Sequence, residues 1–150
     1  MTGKMIFVNL PVENLPRAMA FYQAIGFTNN RQFTDETAAC MVLSDAIYVM
    51  LLTHAKWRGF TDRPIPGAGS SEVMLALALA SRDEVNAFVE AGAKAGGTAD
   101  INPPEDHGFM FQRSLLDPDG HLWEPFWMDP EAAASGPDAA TSDEIPPQGK

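Results

Sequence analysis

LPVENLPRAMAFYQAIGFT (residues 10–28) decides how this chain is read. A strand ends in an apolar Leu-Pro-Val. Asn14 is a residue type that caps helices, and Pro16 is tolerated in a first turn. Leu15, Met19, Phe21, Tyr22 and Ile25 then recur at helical spacing, and Gly26 stops the run. The same grammar returns in ALASRDEVNAFVEAGAKAGGT (residues 78–98). There Ser81 and Glu84 form a capping box, Val85, Phe88 and Val89 form the stripe, and Gly96 and Gly97 end it.

Working outward, KMIFVNLPV (residues 4–12) reads as a strand, with Ile6, Val8, Leu10 and Val12 on one face and Phe7 and Asn9 on the other. Strand-like runs follow the first helix at residues 27–34, 37–44 and 46–53. Residues 71–80 begin the pattern again. After the second helix, strand-like runs lie near residues 98–101, 108–116 and 121–128. The order strand, helix, three strands therefore occurs twice. A repeat of this length is a half-domain duplication rather than a solenoid period. The division is a first module at 1–54, a connector at 55–71, a second module at 72–129 and an acidic, Pro/Ala-rich tail at 130–150.

Composition narrows the function classes. The net charge of -10 opposes nucleic acid and anionic membranes as partners, because phosphate binding needs a basic face. Five acidic residues and one Lys lie from residue 129 onward, so the body carries about -6 of that charge by the same count. The longest apolar run, VMLALALA (residues 73–80), is too short to span a bilayer, and the N-terminus has no signal-peptide pattern. Cys40 is alone and forms no internal disulfide. A cytoplasmic location is the expectation.

MIFVNLPVENLPRAMAFYQAIGF (residues 5–27) and GFMFQRSLLDPDGHLWEPFWMDP (residues 108–130) together resemble the glyoxalase/bleomycin-resistance/dioxygenase proteins, the vicinal oxygen chelate superfamily. The likeness runs over residues 4–130. It implies an α+β fold of two βαβββ modules whose curved mixed sheets enclose a cleft. It also implies a homodimer with a small-molecule pocket, formed within one chain or across two. In metalloenzymes of that family a divalent ion is held at four strand positions. Here those positions fall on Phe7, Met50, Met74 and Glu124. Three are apolar, and neither a phenyl ring nor a thioether suits a hard cation. The expectation is no metal and no cofactor.

Glu124 then becomes the residue to explain. Period-two alternation sets Leu122, Glu124, Phe126 and Met128 on one face of a strand, opposite Trp123 and Trp127. A carboxylate in a cleft must be paired, hydrogen-bonded or protonated. If residues 117–120 form a four-residue hairpin loop, Arg113 faces Glu124 across the strands and pairs with it. Glu124 reads as an ion-pair member, as a polar anchor for a ligand, or as a general base. Phe7, Asn9, Met50, Met74, Arg113 and Glu124 make the expected ligand-binding set, with Glu124 and His107 as candidate catalytic groups. His54 and His121 read as structural, and Cys40 as a small core residue. Trp57 and Phe60, in the connector, read as a lid over the cleft or a dimer contact. The leading function is metal-independent binding of a small apolar or cationic molecule. The alternative is a glyoxalase-like lyase or isomerase, or another metal-dependent enzyme of the superfamily, with an atypical site.

Overall fold

The structure is a computed structural model and describes residues 3–132. The acidic tail assigned to 130–150 lies almost wholly outside the described residues. The chain runs through β1 (Ile6–Val12), α1 (Leu15–Ala24), β2 (Thr28–Asn30), β3 (Ala38–Val42), β4 (Ile47–Thr53) and α2 (His54–Phe60). It continues through β5 (Met74–Ala78), α3 (Arg82–Lys94), β6 (Thr98–Ala99), β7 (Glu105–Asp106), β8 (Met110–Gln112), β9 (Leu115–Leu116) and β10 (Leu122–Met128).

Both main helices start at the expected caps. The Asn14 side chain accepts from the Arg17 N–H, with Pro16 in the first turn. Ser81 Oγ accepts from the Glu84 N–H at 3.1 Å, while Glu84 reaches back to the Ala80 N–H at 3.1 Å. Gly26 and Gly96 follow the helix ends at φ 111° and 104°, a left-handed conformation that costs other residues a steric penalty.

The strands form two curved sheets. In the first the order is β1-β4-β3-β2, with β1 and β4 parallel. In the second β10 is central. It pairs in parallel with β5 on one side and antiparallel with β8 and β9 on the other, and β7 and β6 lie beyond them. β8 and β9 lie on one register line, since Gln112 faces Phe126 and Leu116 faces Leu122. Pro125 sits between those pairs and has no N–H to give, so the ladder is interrupted there.

One core serves both sheets. Leu10, Val12, Val49 and Leu51 of the first sheet join Leu77, Leu115 and Trp123 of the second around Phe21, Tyr22, Phe88 and Val89 of α1 and α3. Gly97 marks how closely the parts approach. A methyl group there would run into the Leu116 carbonyl and, at 2.7 Å, the Phe21 ring. A buried polar link ties the halves together. Tyr22 O–H donates to Asp117 Oδ2 at 2.6 Å, and Trp123 Nε1–H donates to the Tyr22 oxygen at 3.0 Å. Asp117 Oδ1 accepts the N–H groups of Asp119 and His121, which closes the turn. Burial pushes the Asp117 carboxyl up, while the charge of His121, the Tyr22 hydroxyl and the turn amides pull it down. His121 Nε2–H donates to the Pro11 carbonyl at 2.8 Å, a structural tie between the modules.

Two expectations change. The stretch read as a connector begins with a helix, α2, capped by Thr53 accepting from the Lys56 N–H. The expected Arg113–Glu124 pair does not form. The hairpin loop spans five residues, closed by the Asp117 N–H to the His121 carbonyl, rather than four. A shift of one residue turns Arg113 to the other face of the sheet. There it donates to Asp100 Oδ2 at 2.7 Å, Asn86 Oδ1 at 2.8 Å and Glu90 Oε2 at 3.1 Å.

Candidate functional site

Alternation fixes two outer faces, each turned away from α1 and α3. On the first sheet Phe7, Asn9 and Pro11 of β1 lie beside Tyr48, Met50 and Leu52 of β4. Phe7 stacks on Tyr48 with centroids 4.3 Å apart and planes at 10°. Cys40 of β3 adjoins Met50, buried, and burial pushes its thiol up. On the second sheet Met74 and Ala76 of β5 lie beside Leu122 and Glu124 of β10, with Phe126, Met110 and Gln112 further across.

The expected ligand set is therefore divided. Phe7, Asn9 and Met50 come together on one face, Met74 and Glu124 on the other, and Arg113 lies on the helix side with α3. Both faces belong to sheets that pack their opposite sides into the shared core.

Glu124 is half-buried, and its carboxylate makes no hydrogen bond or ion pair among the described residues. Burial raises its pKa, and the charge of Glu105 raises it further. Glu105 shares this face because it pairs with Gln112, which pairs with Phe126. His107 is exposed, with Nε2 3.5 Å from Glu105 Oε1. Sequence reading missed Glu105. It stands two residues before His107, in a strand only two residues long, where periodicity carries no signal. Among the described residues no group of three or more His, Cys, Asp or Glu side chains is placed to hold a metal ion.

α2 covers one end of the first outer face. Asn9, Leu52, Trp57, Phe60 and Thr61 line a cavity of about 160 Å³ there. Trp57 Nε1 is buried and has no hydrogen-bond partner among the described residues.

β1 and β5 are both edge strands, each paired on one side only. Both edges are apolar and open. Ile6 is 57% exposed, Phe7 48%, Val73 54% and Met74 46%. Among the described residues no helix is long and apolar enough to cross a membrane.

Comparison with solved structures gives the class: this is the glyoxalase/bleomycin-resistance/dioxygenase fold. A hypothetical protein from S. aureus is 24% identical and superposes with a TM-score of 0.70, over 85% of this chain and 94% of that one. A glyoxalase/bleomycin resistance protein/dioxygenase family enzyme from Burkholderia phytofirmans is 17% identical, TM-score 0.68, over 84% and 99%. A bleomycin resistance determinant encoded on the transposon Tn5 is 20% identical, TM-score 0.59, over 84% and 98%. In sequence, residues 4–44 match the model of the bleomycin resistance protein-like N-terminal family. No curated protein matches the chain in sequence.

Proposed function

We propose that this protein binds a small apolar or cationic molecule without a metal, in a cleft completed between two copies. β1 of one chain lies beside β5 of its partner. The face bearing Phe7, Asn9 and Met50 then meets the partner face bearing Met74 and Glu124. Open apolar edges with unsatisfied backbone groups support this closure, since exposed edges recruit another strand. The lone, buried Cys40 supports a reducing, cytoplasmic setting.

The observation that carries the reading is Glu124: an unpaired, partly desolvated carboxylate among Met74, Phe126 and Leu122. The four positions where relatives hold a metal offer two thioethers, a phenyl ring and this one acid. Such a donor set does not fit a divalent ion. It does fit an organic cation with an apolar body, which lies against sulfur and aromatic surface while Glu124 neutralises its charge.

Ethidium, a cationic aromatic dye, tests this by its fluorescence on burial. Glu124→Gln is expected to weaken binding about 10- to 100-fold, the worth of a hydrogen bond to a charged group, with the denaturation midpoint almost unchanged. Wild-type binding strengthens as pH rises through the Glu124 titration, which burial and the charge of Glu105 raise from the ordinary glutamate value. The Gln variant stays flat over that window. Equal affinity in the two proteins removes Glu124 as the anchor.

A raised carboxyl pKa also suits a general base, which favours a second reading as a glyoxalase-like lyase or isomerase using Glu124 and His107. Asn9, on the other sheet, enters such a site only from the partner. Turnover of an α-carbon acid that is abolished by Glu124→Gln would establish it.

A further inference from the structure

We propose that Glu105 is a second anionic contact for the ligand of the Glu124 face, held in place by Arg82 as a positioning residue, so that the site prefers a molecule carrying two positive charges. The inference rests on the cationic reading above and narrows its ligand class.

Arg82 opens α3, where a cation opposes the helix dipole, so its role lies in what it touches. Its guanidinium forks onto Asp106, with Nη1–H donating to Oδ2 at 3.0 Å and Nη2–H donating to Oδ1 at 2.8 Å. Nη2–H also donates to the Gly108 carbonyl at 3.0 Å. The same group lies over the rings of Phe111 and Trp127, 5.1 and 5.2 Å from their centroids. The bond from Arg82, helped by the Gly108 N–H, holds the Asp106 carboxyl down at about 2. β7 needs such a fastening. It is an edge strand of two residues, it follows Pro103 and Pro104, and among the described strands β8 alone pairs with it.

Alternation turns the clamp into a placement. Asp106 points toward Arg82, so Glu105 points to the opposite face, in line with Gln112 and Phe126. Glu124 shares that face two strand spacings away, about 10 Å across the sheet, a gap that two glutamate side chains shorten. Their neighbours Met74, Leu122, Phe126, Met110 and Gln112 carry no charge. Neither do Phe7, Asn9 and Met50 on the face proposed to meet them. Two acids therefore share one largely apolar surface without a Lys or Arg beside them. After burial, the charge of Glu105 is what raises the Glu124 carboxyl. A monocation neutralises one acid and leaves the other; a dication answers both.

Propidium keeps the phenanthridinium rings of ethidium and adds a quaternary ammonium on a propyl arm, so the two dyes form a matched pair. His107 Nε2 lies 3.5 Å from Glu105 Oε1, and a proton on it would answer that acid, so both dyes are titrated at pH 8 and low salt. Wild type is expected to bind propidium about two- to fivefold more tightly than ethidium, the worth of an ion pair to a carboxylate that is 59% exposed. Glu105→Gln weakens propidium more than ethidium and removes the preference. Arg82→Ala removes it as well, with circular dichroism unchanged, while Arg82→Lys, which keeps a charge for Asp106 but not the fork, retains part of it. In the Glu105→Gln background Arg82→Ala has no further effect on the ratio of the two affinities. Equal affinity for the two dyes in wild type, or a preference that survives Glu105→Gln or Arg82→Ala, overturns the proposal. Ethidium binding without a preference for propidium removes this inference alone. Binding of neither dye removes the cationic cleft and this inference with it.

Discussion

The Ile6→Lys, Val73→Lys double variant is expected to run at the 16.2 kDa mass of one chain, where the dimer proposed for the wild-type protein would run at twice that mass, and to lose the proposed ethidium binding. Both positions are more than half exposed in the single chain, so the substitutions leave its fold intact, within about 0.5 kcal/mol each. In the proposed dimer they place ammonium groups along the β1 and β5 edges. Edge lysines are a common natural device against strand-to-strand association, because desolvating them costs more than the new ladder returns. The cleft residues remain in place in each chain. Phe7 still stacks on Tyr48, and Glu124 still lies beside Met74 and Leu122. Loss of binding together with loss of dimer, in a chain whose circular dichroism is unchanged, locates the site between copies. Sedimentation velocity at several concentrations reads the mass. A variant that stays dimeric and still binds the dye places the interface elsewhere.

Trp123→Ala is expected to cost about 3–5 kcal/mol of stability, the range for truncating a buried aromatic. The indole is 3% exposed and contacts Tyr22, Phe27 and Phe88 ring to ring, so α1, α3 and the turn before β2 lose packing at once. It also donates to the Tyr22 oxygen, which in turn donates to Asp117. The polar chain between the modules therefore loses its outer donor as well. Against a typical total of about 5–15 kcal/mol, one substitution removes about a fifth or more of the margin. Tyr22→Phe, which deletes a single hydroxyl and keeps the packing, costs about 1–3 kcal/mol by leaving Asp117 short of a partner. Urea midpoints at fixed protein concentration measure both, since the proposed dimerisation would make stability depend on concentration. A Trp123→Ala midpoint equal to that of wild type would mean the inter-module core is not where the stability resides.

Much of this architecture could be read from residues alone. Asn14, Ser81 and Glu84 announce the helix starts, and the spacing of Phe21, Tyr22, Phe88 and Val89 gives their buried faces. The alternation in Ile6–Val12 and Leu122–Met128 gives the sides of the strands. What failed did so for local reasons. Arg113 was set beside Glu124 by a loop one residue too short, and in a sheet such an error inverts every assignment on the strand. α2 was hidden in a stretch rich in Gly, Pro and polar residues. Glu105 lies in a strand too short to show a period. The division of the candidate site between two faces was beyond reach for a different reason. Alternation tells which residues share a face, but not which faces meet, because that depends on how the sheets pack around α1 and α3.

Subunit mixing tests the shared cleft most directly. Met50→Lys breaks the wall formed by the first sheet by setting a cation against the ligand, and Glu124→Gln breaks the anchor on the second. Each variant alone binds ethidium poorly. After equal amounts are mixed and allowed to exchange, half the dimers pair one variant with the other, and each mixed dimer carries one intact cleft and one doubly broken cleft. Dye binding at a concentration that saturates wild type and neither variant should return to about a quarter of the wild-type sites. No recovery after demonstrated exchange would mean that each cleft belongs to a single chain, which contradicts a site built from two copies.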